Sequence, residues 1–257
     1  MIPIAKPYLT EKEAQAAYDT ILTGWITQGP RVAEFEERFA AYTGARYAVA
    51  VSNCTTALHL SMIMAGVGAG DEVICPSMSY IATANCIKYV GAKPVFAEVN
   101  PETYNLDITD AEQKITSKTK AILLVHQIGM PADIDAFQLL AAKYNLKLIE
   151  DAACAAGSSY KGKKIGSHSE LVCFSLHPRK VISTGDGGFV TTNREDYYQR
   201  LKLLRQHGMS VNDRVRHESS KIIFEDHVEL GYNYRLTDIQ AAVGIKQLEI
   251  LDWIISE

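Results

Sequence analysis

The run CFSLHPRKVISTGDGG, residues 173–188, places Lys180 between a short apolar segment (171–174) and a turn carrying Gly185, Gly187 and Gly188. A lysine leaving a strand beside backbone that only glycine tolerates can meet a carbonyl carbon and condense with it. The competing reading is a solvated loop lysine, the usual fate of a long cationic side chain. What decides between them is which other groups the chain brings to the same place.

On either side of this run, short strand-like segments recur at 48–51, 72–75, 95–98, 121–125, 146–149 and 189–192, seven with 171–174 itself. Most are separated by stretches with helical character, such as 55–64, 81–89 and 134–144. Two further helices precede them, one opened by a Thr10–Glu13 capping box and one at 31–42 with Val32, Phe35 and Phe39 on one face. Alternation of this kind predicts an α/β fold, a three-layer α/β/α arrangement with a mainly parallel seven-stranded sheet. Ligands of such sheets bind beyond the carboxyl ends of the strands.

Composition agrees with a globular chain. Of 257 residues, 47% are hydrophobic and 22% charged, enough for a sizeable core. The formal charge is 26 minus 30, or −4, with no basic block, so a nucleic-acid partner is not indicated. Five cysteines, Cys54, Cys75, Cys86, Cys154 and Cys173, form no C-x-x-C pair, which reads as reduced thiols, with no disulfide framework and no metal site. No run reaches membrane-spanning length and the first residues lack a signal-peptide core, so a cytoplasmic chain with no membrane partner is expected.

Four features fall at predicted strand ends. SNCTT, residues 52–56, precedes a helix expected to begin near Ala57; it reads as a phosphate cup of amides and hydroxyls, or as simple capping by Asn53 or Thr55. SMSYIAT, 77–83, offers Tyr80 either as a ring to stack on a flat cofactor or as a packed tyrosine. In LIEDAACAAGS, Glu150 and Asp151 follow an apolar run, where a carboxylate needs a partner; Asp151 either meets a cation or caps a helix from Ala152. The fourth is the 173–188 run, with Ser175, His177 and Lys180. Carried by successive strand ends, Asp151 and Lys180 suit a pyridine-ring cofactor, the aspartate on the ring nitrogen and the lysine on the aldehyde.

The segments SNCTTALHLS, DEVICPSMSYIATANCIKYVGAKPVF, EDAACAAGSSYKGKKIGS, CFSLHPRKVISTGDGGFVTTN and ELGYNYRLTDIQAA, in that order, resemble successive motifs of the DegT/StrS-type sugar aminotransferases. The resemblance runs from about Lys6 to the last residues and implies the pyridoxal 5′-phosphate-dependent fold type I. It implies that Lys180 binds the cofactor aldehyde, Asp151 pairs with the pyridine nitrogen, and Tyr80 stacks on the ring. Cys54, Thr55 and Ser175 would hold the phosphate, and Asn233 would reach the cofactor of a neighbouring subunit, which makes a homodimer with shared active sites. Cys154 stands near the ring hydroxyl, where relatives often carry Gln or His; many relatives have Gly at Cys54; Asp186 replaces a commoner Glu. The reaction implied is transfer of an amino group from L-glutamate, through pyridoxamine phosphate, to a nucleotide-linked keto-sugar such as a 4-keto-6-deoxyhexose, in polysaccharide or amino-sugar biosynthesis. Two other readings stand beside it: a catalytically weak cofactor-binding or interaction protein of the same family, and a fold type I lyase or desulfurase, which would need a mobile loop cysteine.

The expected organisation is an N-terminal segment (1–30) serving the substrate and dimer region, a cofactor-binding domain (31–236), and a final helix (237–257) leading toward a small C-terminal domain that this sequence lacks. That helix opens with a Thr237–Gln240 box and runs amphipathically through Ile239, Val243, Leu248, Leu251 and Ile255 without a glycine or proline stop. Its apolar face is expected to need cover from a second subunit.

Overall fold

The computed structural model describes residues 5–210 and 225–257. Seven strands form one sheet in the order β1-β9-β8-β5-β4-β2-β3: β1 (Tyr47–Val51), β2 (Glu72–Pro76), β3 (Lys93–Ala97), β4 (Thr119–Val125), β5 (Lys147–Asp151), β8 (Leu171–Ser175) and β9 (Gly188–Thr192). A two-residue hairpin, β6 (Ser159–Tyr160) and β7 (Lys163–Lys164), lies outside it. All seven predicted strands are present, and β3, β2, β4, β5 and β8 run parallel. Only β9 is reversed, pairing antiparallel with both β8 and β1. The other six strands therefore end on one edge, so the loops after β1, β2, β4, β5 and β8 all open there.

Helices cover both faces, as strands buried on both sides require. On one face α3 (Cys54–Met64), α4 (Ala82–Tyr89) and α7 (Glu195–Leu204) bury Leu58, Ile87 and Leu201 against Val73, Leu123 and Cys173. On the other, α2 (Pro30–Thr43), α6 (Ile134–Lys143) and α8 (Asp238–Glu249) bury Phe35, Phe137 and Ile245 against Ile122, Leu124 and Phe174. The period-two alternation of strands thus assigns neighbouring residues to opposite layers. In β5, Ile149 faces the α3–α4 layer, and Asp151 shares that side while Glu150 takes the other.

The capping box that opens α1 (Glu11–Leu22) is present as expected, with Glu13 accepting from the Thr10 amide at 2.8 Å. The end of the chain departs from expectation at one point. Where one unbroken helix was predicted, α8 stops at Ile250, whose φ of −113° and ψ of 6° leave helical geometry, and a short α9 (Leu251–Ser256) follows. Of the predicted apolar face only Leu251 is buried within the chain; Ile239, Val243 and Leu248 are half-buried and Ile255 is exposed. Ile245 is buried as well, and Gly244 lets α8 approach so closely that a Cβ there would stand 2.3 Å from Phe35 Cε1. Periodicity shows that a face is apolar, and only packing shows what covers it. Asp238, at the start of α8, supplies the cap that Gly29 lacks: its carboxylate accepts from the amides of Gly29 (2.7 Å), Arg31 (3.0 Å) and Val32 (2.9 Å), tying α2 to α8.

Candidate active site

The β1 exit comes first. Asn53 caps α3, accepting from the Thr56 amide at 2.9 Å, and the helix begins at Cys54, three residues earlier than expected. Capping and anion binding are compatible here. Asn53 uses the third amide of the helix, and the first turn still presents the amides of Cys54 and Thr55. The Cys54 thiol itself is buried, and burial pushes its pKa well up, with Asp151 adding to the effect. Whatever Cys54 offers an anion is therefore its amide.

The register brings Ser175 to this helix start. Gly188 pairs with Val51 on one side and Ser175 on the other. A Cβ on Gly188 would stand 2.7 Å from Asn53 C, Cys54 N and Phe174 O, three backbone atoms, so only glycine lets these strands close around the end of α3. Ser175 is buried, and its hydroxyl accepts from the His177 amide at 3.4 Å.

Asp151 is the last residue of β5 and is buried. Its Oδ1 accepts from the Ala153 amide at 3.0 Å, and Thr83 on α4 lies beside the same carboxylate. The predicted alternative, an N-cap, is realised only as a turn, since no helix follows at Ala152. Burial pushes the Asp151 carboxyl above its ordinary range; the Ala153 amide, Lys180 and Thr83 pull the other way without offsetting it. Ser79 Oγ stands 2.6 Å from Thr83 Oγ1.

Lys180 approaches from the turn after β8. Its main-chain amide bonds the His177 carbonyl at 2.8 Å, and its Nζ donates to Cys154 Sγ at 3.1 Å. Cys154 is the one cysteine not classed as buried. Lys180 and Cys154 share an open cleft of about 540 Å³ with Lys6, Tyr8, Ile128 and Ile255. A hollow of about 430 Å³ between α2 and α7 is better enclosed but holds none of these groups, so chemistry and not enclosure singles out the cleft.

Two predicted residues are exposed. Tyr80 is at the same sheet edge with its side chain 69% exposed, so it is not the packed tyrosine of the alternative reading. Asn233 is exposed as well; its segment is anchored by the Ser52 amide donating to the Tyr234 carbonyl at 2.8 Å. Sequence reasoning missed Thr83 and Ser79, whose only trace was an i, i+4 hydroxyl pair beside Tyr80. It also missed His126, which bonds Glu150 at 2.8 Å and carries no local motif.

These residues fit pyridoxal phosphate. A buried carboxylate held up by desolvation and without a hydrogen-bonded cation suits a protonated pyridine nitrogen, a nearby amine suits an aldehyde, and a helix start closed by glycine suits a phosphate. Among the described residues no cluster of His, Cys, Asp or Glu is arranged to hold a metal ion, and no helix is long and apolar enough to cross a membrane.

Known proteins share this arrangement of elements. The chain is 44% identical over 252 residues to the GDP-perosamine synthase of Caulobacter vibrioides, covering 98% of this chain and 65% of that protein. It is 42% identical over 248 residues to the uncharacterized protein MJ1066 of Methanocaldococcus jannaschii, covering 96% and 64% respectively, so it spans slightly less than two thirds of each. Among solved structures it superposes on Helicobacter pylori PseC, an aminotransferase involved in the biosynthesis of pseudoaminic acid, with a TM-score of 0.89 and 31% identity, covering 98% of this chain and 66% of that one. It also superposes on the PMP form of Spr1654 from Streptococcus pneumoniae with a TM-score of 0.93 and 32% identity, covering 98% and 68%. Residues 7–257 match one family model throughout, and with the fold and relatives above this places the chain in the DegT/DnrJ/EryC1/StrS aminotransferase family.

Proposed function

We propose that this chain carries the cofactor site of a pyridoxal phosphate-dependent aminotransferase that moves an amino group from L-glutamate to a nucleotide-linked keto-sugar. The observation that carries the reading is the convergence of Lys180, the buried Asp151 and the start of α3 on one sheet edge. The GDP-perosamine synthase relative, 44% identical, supports a 4-keto-6-deoxyhexose acceptor. Pyridoxal phosphate, when bound, supplies the electron sink that lets an amino acid release its α-proton and exchange its nitrogen.

The residues divide the work by their chemistry. Lys180 would hold the cofactor's aldehyde carbon, and its amine, when free, would be the base that takes and returns the substrate's α-proton. Asp151 keeps the pyridine nitrogen protonated; a carboxylate in a dry site does this best when its only cation is the one it serves. The Cys54 and Thr55 amides and the Ser175 hydroxyl hold the phosphate. Cys154 orients the Lys180 amine, and the exposed Tyr80 ring covers the flat face of the site. Asn233, also exposed, reaches the cofactor of a second copy, so that a homodimer shares its two sites. We place the protein in the cytoplasm, where its thiols stay reduced.

The test is direct. Pyridoxal phosphate added to the purified protein is expected to give the visible absorbance of a lysine-bound cofactor, and L-glutamate to bleach it as pyridoxamine phosphate forms. Lys180→Ala should lose the band, and persistence of the band in that variant refutes the assignment. A band that forms but does not respond to L-glutamate refutes the donor and leaves the cofactor site standing.

A further inference from the structure

Behind Asp151, on the opposite face of β5, lies a pair that the chemistry above does not use. His126 follows β4, Glu150 precedes Asp151, and both side chains are fully buried, with Nε2 and Oε2 2.8 Å apart. His126 Nδ1 accepts from the Ala132 amide at 3.1 Å, so it bears no proton; a neutral ring then has its proton on Nε2 and donates it to Glu150. The other oxygen, Glu150 Oε1, has no hydrogen-bond partner. In-register neighbours on β4 and β8 are Leu124 and Val172, an apolar setting in which packing alone would not select an acid.

The histidine grips two consecutive residues of β5 at once. Its ring holds Glu150, and its own amide donates to the Asp151 carbonyl at 3.0 Å. Side chains at successive strand positions point to opposite faces. Anchoring Glu150 on one face therefore sets the direction of Asp151 on the other, toward Thr83 and the Ala153 amide. A second path leaves the same residue. The His126 carbonyl accepts from the Gly129 amide at 3.2 Å, and the Gly129 carbonyl takes the Ser158 hydroxyl at 2.7 Å. Gly129 lies so close to Cys154 that a Cβ would meet its carbonyl oxygen at 2.8 Å, and Cys154 is the residue that receives Lys180 Nζ.

We propose that His126 and Glu150 form a positioning pair that fixes the carboxylate of Asp151 and, through the 126–129 turn, the amine of Lys180. The functional meaning of that geometry rests on the cofactor reading above; the geometry itself does not.

Amide hydrogen exchange of the cofactor-free protein tests it. His126→Asn keeps an acceptor for Ala132 but loses donation to Glu150. In it the Ala153 amide is expected to exchange about tenfold faster, the scale of one lost hydrogen bond, while Val190 in β9 is unchanged. Glu150→Leu removes the buried acid at similar volume and is expected to loosen Ala153 in the same way, which keeps the test available should the histidine variant fold poorly. Glu150→Gln retains an acceptor for Nε2–H and is expected to behave as wild type. With pyridoxal phosphate added, the two loosened variants should show a displaced visible maximum and the Gln variant none. Exchange at Ala153 that is unchanged in Glu150→Leu, or that rises equally across the sheet, overturns the proposal. Faster exchange in a protein that forms no cofactor band would instead refute the proposed function and leave the positioning pair standing.

Discussion

Glu36→Ala should destabilise this protein more than any surface change, for a reason local to the edge of its sheet. β1 is an edge strand, and at Ala50 its outward amide and carbonyl have no neighbouring strand to bond. An ion pair takes the place of that strand. The Glu36 carboxylate accepts from the Ala50 amide at 2.8 Å, Arg205 donates to the Ala50 carbonyl at 2.7 Å, and the two side chains bond each other. Their side chains are only 10% and 4% exposed, so the pair is shielded from water. Removing one partner leaves Arg205 charged and buried, with Nε already lacking a hydrogen bond, and strands the Ala50 amide. Breaking a buried pair in this way costs about 3–5 kcal/mol. At about 2–4 °C per kcal/mol for a chain of this size, the melting temperature should fall by roughly 6–20 °C. Urea unfolding of the cofactor-free protein measures the loss, and the double variant Glu36→Leu with Arg205→Met supplies the control. With no stranded charge, the double variant should be no less stable than Glu36→Ala. A single variant within about 1 kcal/mol of wild type, or a double variant costing the sum of its parts, would refute the reasoning. The loss should also reach the site, because the Arg205 carbonyl holds the Tyr234 amide at 2.9 Å and the Tyr234 carbonyl holds Ser52 at 2.8 Å.

Three further outcomes are expected. Gly188→Ala drives a Cβ against three backbone atoms that cannot rotate away; it should cost about 1–3 kcal/mol and weaken pyridoxal phosphate binding about tenfold or more, measured by titration of the visible band. Asp151 has a folded pKa raised above its ordinary 3.8, so the native state binds more protons than the unfolded one between those two values, and stability falls as pH rises through that window. Asp151→Asn should therefore melt higher than wild type at pH 7 without cofactor, with the advantage vanishing below pH 3.8, as calorimetry would show; the same variant should bind cofactor about tenfold or more weakly, since it loses a hydrogen bond to a charged group worth about 1.5–3 kcal/mol. Burial pushes the Cys75 thiol up to about 12 and the thiols of Cys54, Cys86 and Cys173 up as well. Iodoacetamide should then label the native protein at Cys154 alone, and a second adduct forming at a similar rate by mass spectrometry would contradict this.

Local chemistry was legible in the linear chain wherever a single turn or strand decides it. The Thr10, Asn53 and Thr237 caps are contests between a side chain and the next three amides, and all three read correctly or nearly so. The seven strands announced themselves because a sheet buried on both faces demands apolar runs, and the loop glycines marked the edge where ligands sit. Lys180, Asp151 and the start of α3 could be named in advance because each follows such a run.

Packing decided the remainder. No period in the sequence shows that β9 runs against its neighbours, that α8 breaks at Ile250, or that Gly244 of α8 packs on Phe35 of α2, since these depend on which surfaces meet. The sequence alone determined which groups leave the strand ends at the proposed site: a lysine, an aspartate and a helix start. Only the tertiary structure decided how they are held, with Cys154 on the amine, Thr83 beside the carboxylate and the His126–Glu150 pair behind the strand. These partners are distant in sequence and joined by no motif, because a hydrogen bond across a sheet depends on register and burial, which spacing along the chain does not encode.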